Sequence, residues 1–376
     1  MQVEQSRWNA RTGWDGPLGH TVSAPQLVFV FGGREQLSGQ PLDRVFETFP
    51  GAQVMGCSTA GEISGVAVSA STVAVTAIEF ESSTISVVYQ DVESPEASAE
   101  AGANLMEQLP SDGLRHVFVL SEGVHVNGSA LVAGMETVLP GGIGITGGLA
   151  GDGDAFERTV VLRNGAAEAR IVSAVGLYGD SLRIGQGCRG GWSPFGPAMT
   201  ITSSEANVLY SLDGVPALDV YRSYLGDRAV ELPAAGLALP VGVQAPGTSA
   251  LVVRTLLSTN PDDGSIVFAG EMPQQSSVRF MRGKLDHLIG GAREAAAGLR
   301  LDGERSPQLA IVVSCTGRRL LLKQRVEEEI EEVRCELGAD TKLTGFYSYG
   351  EIAVGAASTR SELHNQTLTI TTVSED

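Results

Sequence analysis

Three glycine–acid pairs stand out among the residues able to bind or react: Gly61-Glu62, Gly151-Asp152 and Gly350-Glu351, each closing a short apolar run. Carboxylates that meet where strand ends converge can orient a polar ligand, and the hydroxyls of Ser58 and Thr59 and the rings of Tyr347 and Tyr349 lie close by in sequence. The same glycines can instead serve positive-φ turns, with the acids capping exposed backbone N–H groups. Tyr347 and Tyr349 alternate along a strand, so at most one enters a given pocket and the other belongs to the core. Cys315 follows an apolar run within SCTGRR, where Arg318 or Arg319 would either stabilise a thiolate or hold an anionic ligand group in a guanidinium fork. A buried, inert cysteine is the alternative.

The histidines, His20, His116, His125, His287 and His364, include no two at the three- or four-residue spacing that pairs ligands on a helix face, so no zinc signature is present. A noncovalent haem b needs only one axial histidine, and His125 and His364 are the better placed, whereas C-x-x-C-H attachment is absent. Catalytic signatures fail as well. GCSTAG (56–61) has one residue too many for G-x-S-x-G, GIGITG (142–147) runs along a strand instead of opening a helix, and no P-loop text occurs. No nucleophile, base and orienting group can be named together, so the reading is not an enzyme; a catalyst built on Cys315 or the acidic turns is the alternative class.

The elements that must position these residues repeat. In each copy a buried strand, an amphipathic helix and a second strand lead to the glycine–acid turn: 26–31, 41–49 and 52–56 in the first, 116–120, 129–139 and 143–147 in the second, 309–314, 320–337 and 341–345 in the third. Leu322, Val326, Ile330, Val333 and Leu337 make one apolar stripe on the third helix, leaving Glu327 to Glu332 as a solvated face. Segments 71–80 with 84–90, and 158–164 with 169–179, read as antiparallel hairpins, and a fainter fourth copy runs from 215 to a helix near 278–299. The fold class expected is α+β, with repeated β-α-β-β units in mixed or antiparallel sheets covered by helices, two units to each of two related domains. The turns would then surround one enclosed chamber, and residues before about 25 would form a peripheral extension.

The composition narrows the function classes. A formal charge of −18, from 26 Lys and Arg against 44 Asp and Glu in 376 residues, disfavours nucleic acid and anionic membranes as partners. No apolar run reaches membrane-span length and no secretory h-region opens the chain, so a cytoplasmic protein with four reduced cysteines is expected.

Seven ordered segments carry a resemblance: GCSTAGEI (56–63), VNGSALVAG (126–134), GGLAGDG (147–153), SPFGP (193–197), YSLDGVPALDVY (210–221), GFYSYGEI (345–352) and SELHNQTLTI (361–370) are similar to the motifs of FIST proteins. The resemblance implies a FIST N domain over 26–205 and a FIST C domain over 206–376, after the extension at 1–25. It implies sensory input: a small-molecule ligand, a separate partner such as a histidine kinase or cyclic-di-GMP enzyme, and, in a haem-binding version, nitric oxide sensing through His364 or His125. The expected ligand site comprises Ser58, Thr59, Gly61, Glu62, Gly151, Asp152, Arg318, Tyr347, Tyr349, Gly350, Glu351, His364 and Asn365.

Overall fold

Runs of valine, isoleucine and phenylalanine bounded by glycine build the central strands of the computed structural model, which describes residues 1–299, 306–355 and 358–376. β1 (Gln2–Asn9) and β2 (Gly13–Trp14) precede the first unit, made of β3 (Leu27–Gly32), α1 (Gln40–Thr48), β4 (Gln53–Ser58), the hairpin β5 (Glu62–Ser64) and β6 (Ala67–Ser69), and β7 (Val73–Glu79). β8 (Thr84–Asp91) and α2 (Ser98–Glu107) lead to the second: β9 (Leu114–Ser121), α3 (Gly128–Val138), β10 (Gly144–Leu149), the hairpin β11 (Val161–Arg163) and β12 (Ala166–Glu168), and β13 (Ile171–Tyr178). After β14 (Leu182–Arg189) comes an insertion with β15 (Ser193–Glu205), β16 (Val208–Leu212), β17 (Val215–Pro216), α4 (Ala217–Leu225), β18 (Val241–Gln244), β19 (Val252–Arg254), β20 (Leu256–Asn260), β21 (Ser265–Phe268) and β22 (Ser277–Arg282). α5 (Leu285–Ala297) precedes the third unit: β23 (Leu309–Cys315), α6 (Thr316–Leu322), α7 (Val326–Leu337), β24 (Lys342–Ser348), the hairpin β25 (Gly350–Val354) and β26 (Ser361–His364), and β27 (Leu368–Glu375).

Each unit centres on a parallel pair, β3 with β4, β9 with β10 and β23 with β24, flanked by an antiparallel strand, β7, β13 or β27. Beyond its glycine turn the chain leaves its own sheet. β5 pairs with β24 of the third unit, β25 with β10 of the second and β11 with β4 of the first. A second exchange follows the antiparallel strands: β8 joins β13, β14 joins β27, and β1 fills the same place beside β7. Three sheets result that match strand for strand: β12-β11-β4-β3-β7-β1 with β2 beyond it, β26-β25-β10-β9-β13-β8, and β6-β5-β24-β23-β27-β14. Helices pack over them, α2 against α3 and α5 against α7. Phe29 and Phe31 of the first unit, Phe118 of the second and Phe346 of the third share one buried cluster, with ring centroids 4.8 to 5.8 Å apart.

The α+β class and the repeats are therefore present, with several differences of arrangement. Three units close a cycle; they do not pair two by two. The expected hairpins split, β7 and β8 into different sheets and β11 and β13 likewise, because each strand finds its partner in a neighbouring unit. The fourth copy is not a copy: residues 193–282 form an eight-stranded antiparallel sheet ordered β19-β18-β22-β15-β16-β21-β20, with β17 on β16 and its own core of Tyr221, Phe268 and Phe280. Residues 278–282, read as helix, lie in β22. The peripheral extension contains β1, paired along its length with β7. The third helix breaks at Lys323, whose φ of 53° separates α6 from α7, although Leu322, Ile330, Val333 and Leu337 still share the buried stripe.

Candidate functional site

The glycine–acid turns converge, and they do so by touching. Ala60 N–H donates to the Tyr347 carbonyl at 2.9 Å, Tyr347 N–H to Gly61 at 2.8 Å, Gly151 N–H to Ser58 at 2.9 Å and Tyr349 N–H to Leu149 at 3.2 Å. Backbone bonds fill the centre where one shared chamber was expected. The turns also align differently from the sequence reading. Gly56, Gly147 and Gly345 face Val30, Val119 and Val312 across the parallel pairs. Counting on from them makes Glu62, Gly153 and Glu351 equivalent and leaves Gly151 one place out of step with Gly61 and Gly350.

Glu62 and Glu351 are structural twins. Glu62 accepts from Thr59 Oγ1 at 2.6 Å, Thr72 Oγ1 at 2.6 Å and Thr72 N–H at 3.2 Å; Glu351 accepts from Ser348 Oγ at 2.7 Å, Thr367 Oγ1 at 2.9 Å and Thr367 N–H at 3.2 Å. Burial raises both carboxyl pKa values above the ordinary range, Glu351 to about 7, against the opposing pull of those hydrogen bonds. A carboxyl whose pKa rises on folding stabilises the native state fully below its unfolded pKa, and that contribution is lost as pH rises through the folded one. Stability should therefore decline between about pH 4.5 and 7 by roughly 3 kcal/mol at most from Glu351. Glu351→Gln should flatten this decline in urea denaturation series at several pH values; an unchanged slope would refute the assignment.

The remaining expected site residues disperse. Arg318 is fully buried and donates to Glu329 through Nε at 3.1 Å and Nη2 at 2.7 Å, so it is committed to the core. Glu329, expected on the solvated face, is buried there, where it also accepts the Tyr347 hydroxyl at 2.6 Å. Burial pushes the Cys315 thiol well above its ordinary pKa, with nearby Glu351 adding to the rise, so the stabilised thiolate is not found. Asn365 is buried, and its amide atoms have no hydrogen-bond partner among the described residues. His364 sets Nε2 3.1 Å from the Ala353 carbonyl, and burial lowers its pKa to about 4; the cleft beside it mixes Trp192, Leu251, Val253 and Met281 with Arg189, Glu294 and Glu362. His125 is half-buried, with Nδ1 3.5 Å from Glu122. Neither setting gives positive support for a haem on these histidines: His364 Nε2 already meets a carbonyl and His125 Nδ1 faces a carboxylate.

Two clefts at strand ends gather what is left. One, of about 250 Å³, brings Thr59, Gly61, Glu62 and Asp152 together with Arg34 and Arg319. The other, of about 320 Å³, lies between the second unit and the inserted sheet, and is lined by Tyr349, Val124, Val126, Leu149, Phe156, Leu257 and Phe268 with Asn127 and Asn207. Asp152 joins the two: it accepts the Tyr349 hydroxyl, and separately the N–H groups of Phe156, Glu157 and Arg158 at 2.8 to 3.1 Å. Ser58, Gly151, Arg318, Tyr347, Gly350, Glu351, His364 and Asn365 line neither of these clefts.

Family models match the chain as a FIST N domain over residues 26–215 and a FIST C domain over 217–354. The chain belongs to the FIST family. FIST domains are sensory domains of signal-transduction proteins, and binding of small ligands is the role ascribed to them. The two matched segments meet inside the fourth sheet, so the FIST C segment supplies both most of that sheet and β23 to β25 of the cycle. Uncharacterized proteins of Mycobacterium bovis and Mycobacterium tuberculosis are each 28% identical over 251 residues, which is 64% of this chain and 61% of theirs. The FIST chain thus spans less than two thirds of the length of these relatives.

Among the described residues no group of His, Cys, Asp and Glu side chains could hold a metal ion, and no helix is long and apolar enough to cross a membrane. Sequence reasoning passed over Val124, Phe156 and Leu257, the exposed apolar residues of the larger FIST cleft. Phe156 carried a signal, an aromatic ring inside the polar loop GDGDAFER (151–158). Leu257 carried none, because only the tertiary fold brings β20 to this face. Buried Glu122, which accepts from the N–H groups of Val124 at 2.9 Å and His125 at 2.7 Å, was missed as well; it shapes the loop that walls the cleft.

Proposed function

We propose that this FIST chain is a cytoplasmic sensory protein, not an enzyme, that holds a small ligand with both apolar and polar groups in the cleft between the second unit and the inserted sheet. It passes the bound state to a separate signalling partner, of which a histidine kinase or a cyclic-di-GMP enzyme is the expected kind. The observation that carries this reading is the clustering of exposed apolar side chains. Val124, Phe156 and Leu257 remain 37%, 43% and 41% exposed, and all three rim this one cleft of about 320 Å³. Tyr349 stacks on Phe156 at 4.2 Å and 14°, offering an aromatic wall, while Asn127 and Asn207 supply polar groups for orientation. Val124, Leu149 and Phe156 fall in the FIST N segment, and Leu257, Phe268 and Tyr349 in the FIST C segment. A ligand touching both favours whichever mutual arrangement it fits, which is the thermodynamic requirement for a sensor.

The test uses the dye 8-anilinonaphthalene-1-sulfonate on the whole chain. The native protein should enhance its fluorescence saturably, and Leu257→Glu, a change at an exposed position, should weaken binding about tenfold or more without lowering the melting temperature. Tyr349→Ala should act in the same direction. Equal affinity in the native chain and Leu257→Glu would rule out this cleft.

A further inference from the structure

The smaller cleft has a different chemistry. Among the described residues several exposed arginines, Arg11, Arg158, Arg170 and Arg360 among them, have no carboxylate partner, so the informative case is an unpaired arginine that is half-buried in a cleft. Arg319 is one: among the described residues its guanidinium takes part in none of the hydrogen bonds or ion pairs, whereas its neighbour Arg318 is committed to Glu329. Arg319 leaves α6 of the third unit and lies across the turn of the first, its Nε 3.0 Å from the point a Cβ on Gly61 would occupy. Gly61, with φ +145°, makes that crossing possible, and any side chain there would push the arginine away.

Arg34 lines the same cleft, and its ion-pair partner among the described residues, Glu35, stands 3.6 Å away at the exposed rim. Three acids line the cleft: Glu35 pairs with Arg34 and Glu62 feels the charge of Arg319, yet among the described residues neither Glu62 nor Asp152 makes an ion pair with either arginine. Glu62 is turned onto Thr59 and Thr72, and Asp152 onto three backbone N–H groups and the Tyr349 hydroxyl. The cleft therefore offers two guanidinium groups, a glycine floor and about 250 Å³ of space, with Glu62 and Asp152 hydrogen-bonded within the wall and Glu35 at the rim on Arg34.

We propose that this cleft is a second binding site, one for the oxyanion group of a small metabolite, a carboxylate or a phosphoryl group, held by Arg319 and Arg34 above Gly61. A guanidinium fork matches either anion through paired N–H donors. The proposal does not rest on the ligand reading of the larger cleft, although Asp152 borders this site and holds the Tyr349 hydroxyl of that one.

Calorimetric titration of the whole chain with inorganic phosphate and, separately, with succinate distinguishes the two chemistries. Saturable binding of either anion, weakened about tenfold or more by Arg319→Gln and reduced by Arg34→Gln, is expected. Arg319→Lys should fall between, since it keeps the charge and loses the fork. Leu257→Glu should leave anion binding unchanged, which separates this site from the apolar one. Phosphate binding assigns a phosphoryl site and succinate binding a carboxylate site. Binding of neither anion, or binding indifferent to both arginine substitutions, overturns the proposal. Should Arg319→Gln fail to fold, Arg34→Gln and the anion-induced rise in melting temperature of the native chain decide the matter.

Discussion

Glu329→Ala is expected to destabilise the fold by about 3–5 kcal/mol, as removal of one partner from a buried ion pair does. Glu329 and Arg318 are both fully buried, and the carboxylate also accepts Ser314 Oγ at 2.9 Å and the Tyr347 hydroxyl at 2.6 Å. The guanidinium in turn reaches the carbonyls of Gly190 and Leu288 at 2.7 Å each. One interaction centre thereby ties α7, β23 and β24 to α5 and the loop after β14. Without Glu329 a cation stays in the core with only carbonyl dipoles around it. The double variant Arg318→Met/Glu329→Leu removes both charges and should recover part of the loss, the remainder reflecting the abandoned carbonyls and the Tyr347 hydroxyl. Urea denaturation midpoints give the comparison, and a single variant as stable as the native chain would contradict it.

Gly345→Ala should be comparably severe, roughly 3 kcal/mol or more, because strain and overlap add. Gly345 has φ +151°, and a Cβ there would lie 1.8 Å from the Val312 carbonyl oxygen of the adjacent strand. Its equivalents, Gly147 and Gly56, would meet the Val119 and Val30 carbonyls at 1.9 and 2.1 Å. Gly65→Ala is the control: with φ +60° and nothing within 4 Å of the added carbon, it is strained but not crowded and should lose only about 1–2 kcal/mol. Equal losses at Gly345 and Gly65 would show that backbone overlap is not what fixes glycine at the centre of each unit.

The repeats were legible because strand, helix and strand within one unit are local in sequence, and the alternation of Tyr347 and Tyr349 sent one ring to the core and the other to a cleft as period two requires. Strand partners were not legible. Glu62 to Ser64 pair with residues 344–346, a choice made by the cyclic exchange and not by any nearby turn. Neither was the choice between Arg318 and Arg319, since successive positions on α6 point about 100° apart and only the packing of α7 shows which faces inward. The clefts were the hardest to foresee. Their walls join residues 123–128 with 257 and 268, or 34 with 319, and no local pattern encodes such meetings.

The cyclic exchange of strands has a consequence for synthesis on the ribosome. β10 leaves the exit tunnel long before β25, its partner on one side, and β5 waits for β24 across nearly the whole chain. Until residues 342–354 emerge, both nascent units display uncovered β edges, a state prone to adhesion with other chains. Maturation is thus late and all-or-none, and dependence on holding chaperones should be greatest for chains cut before the third unit.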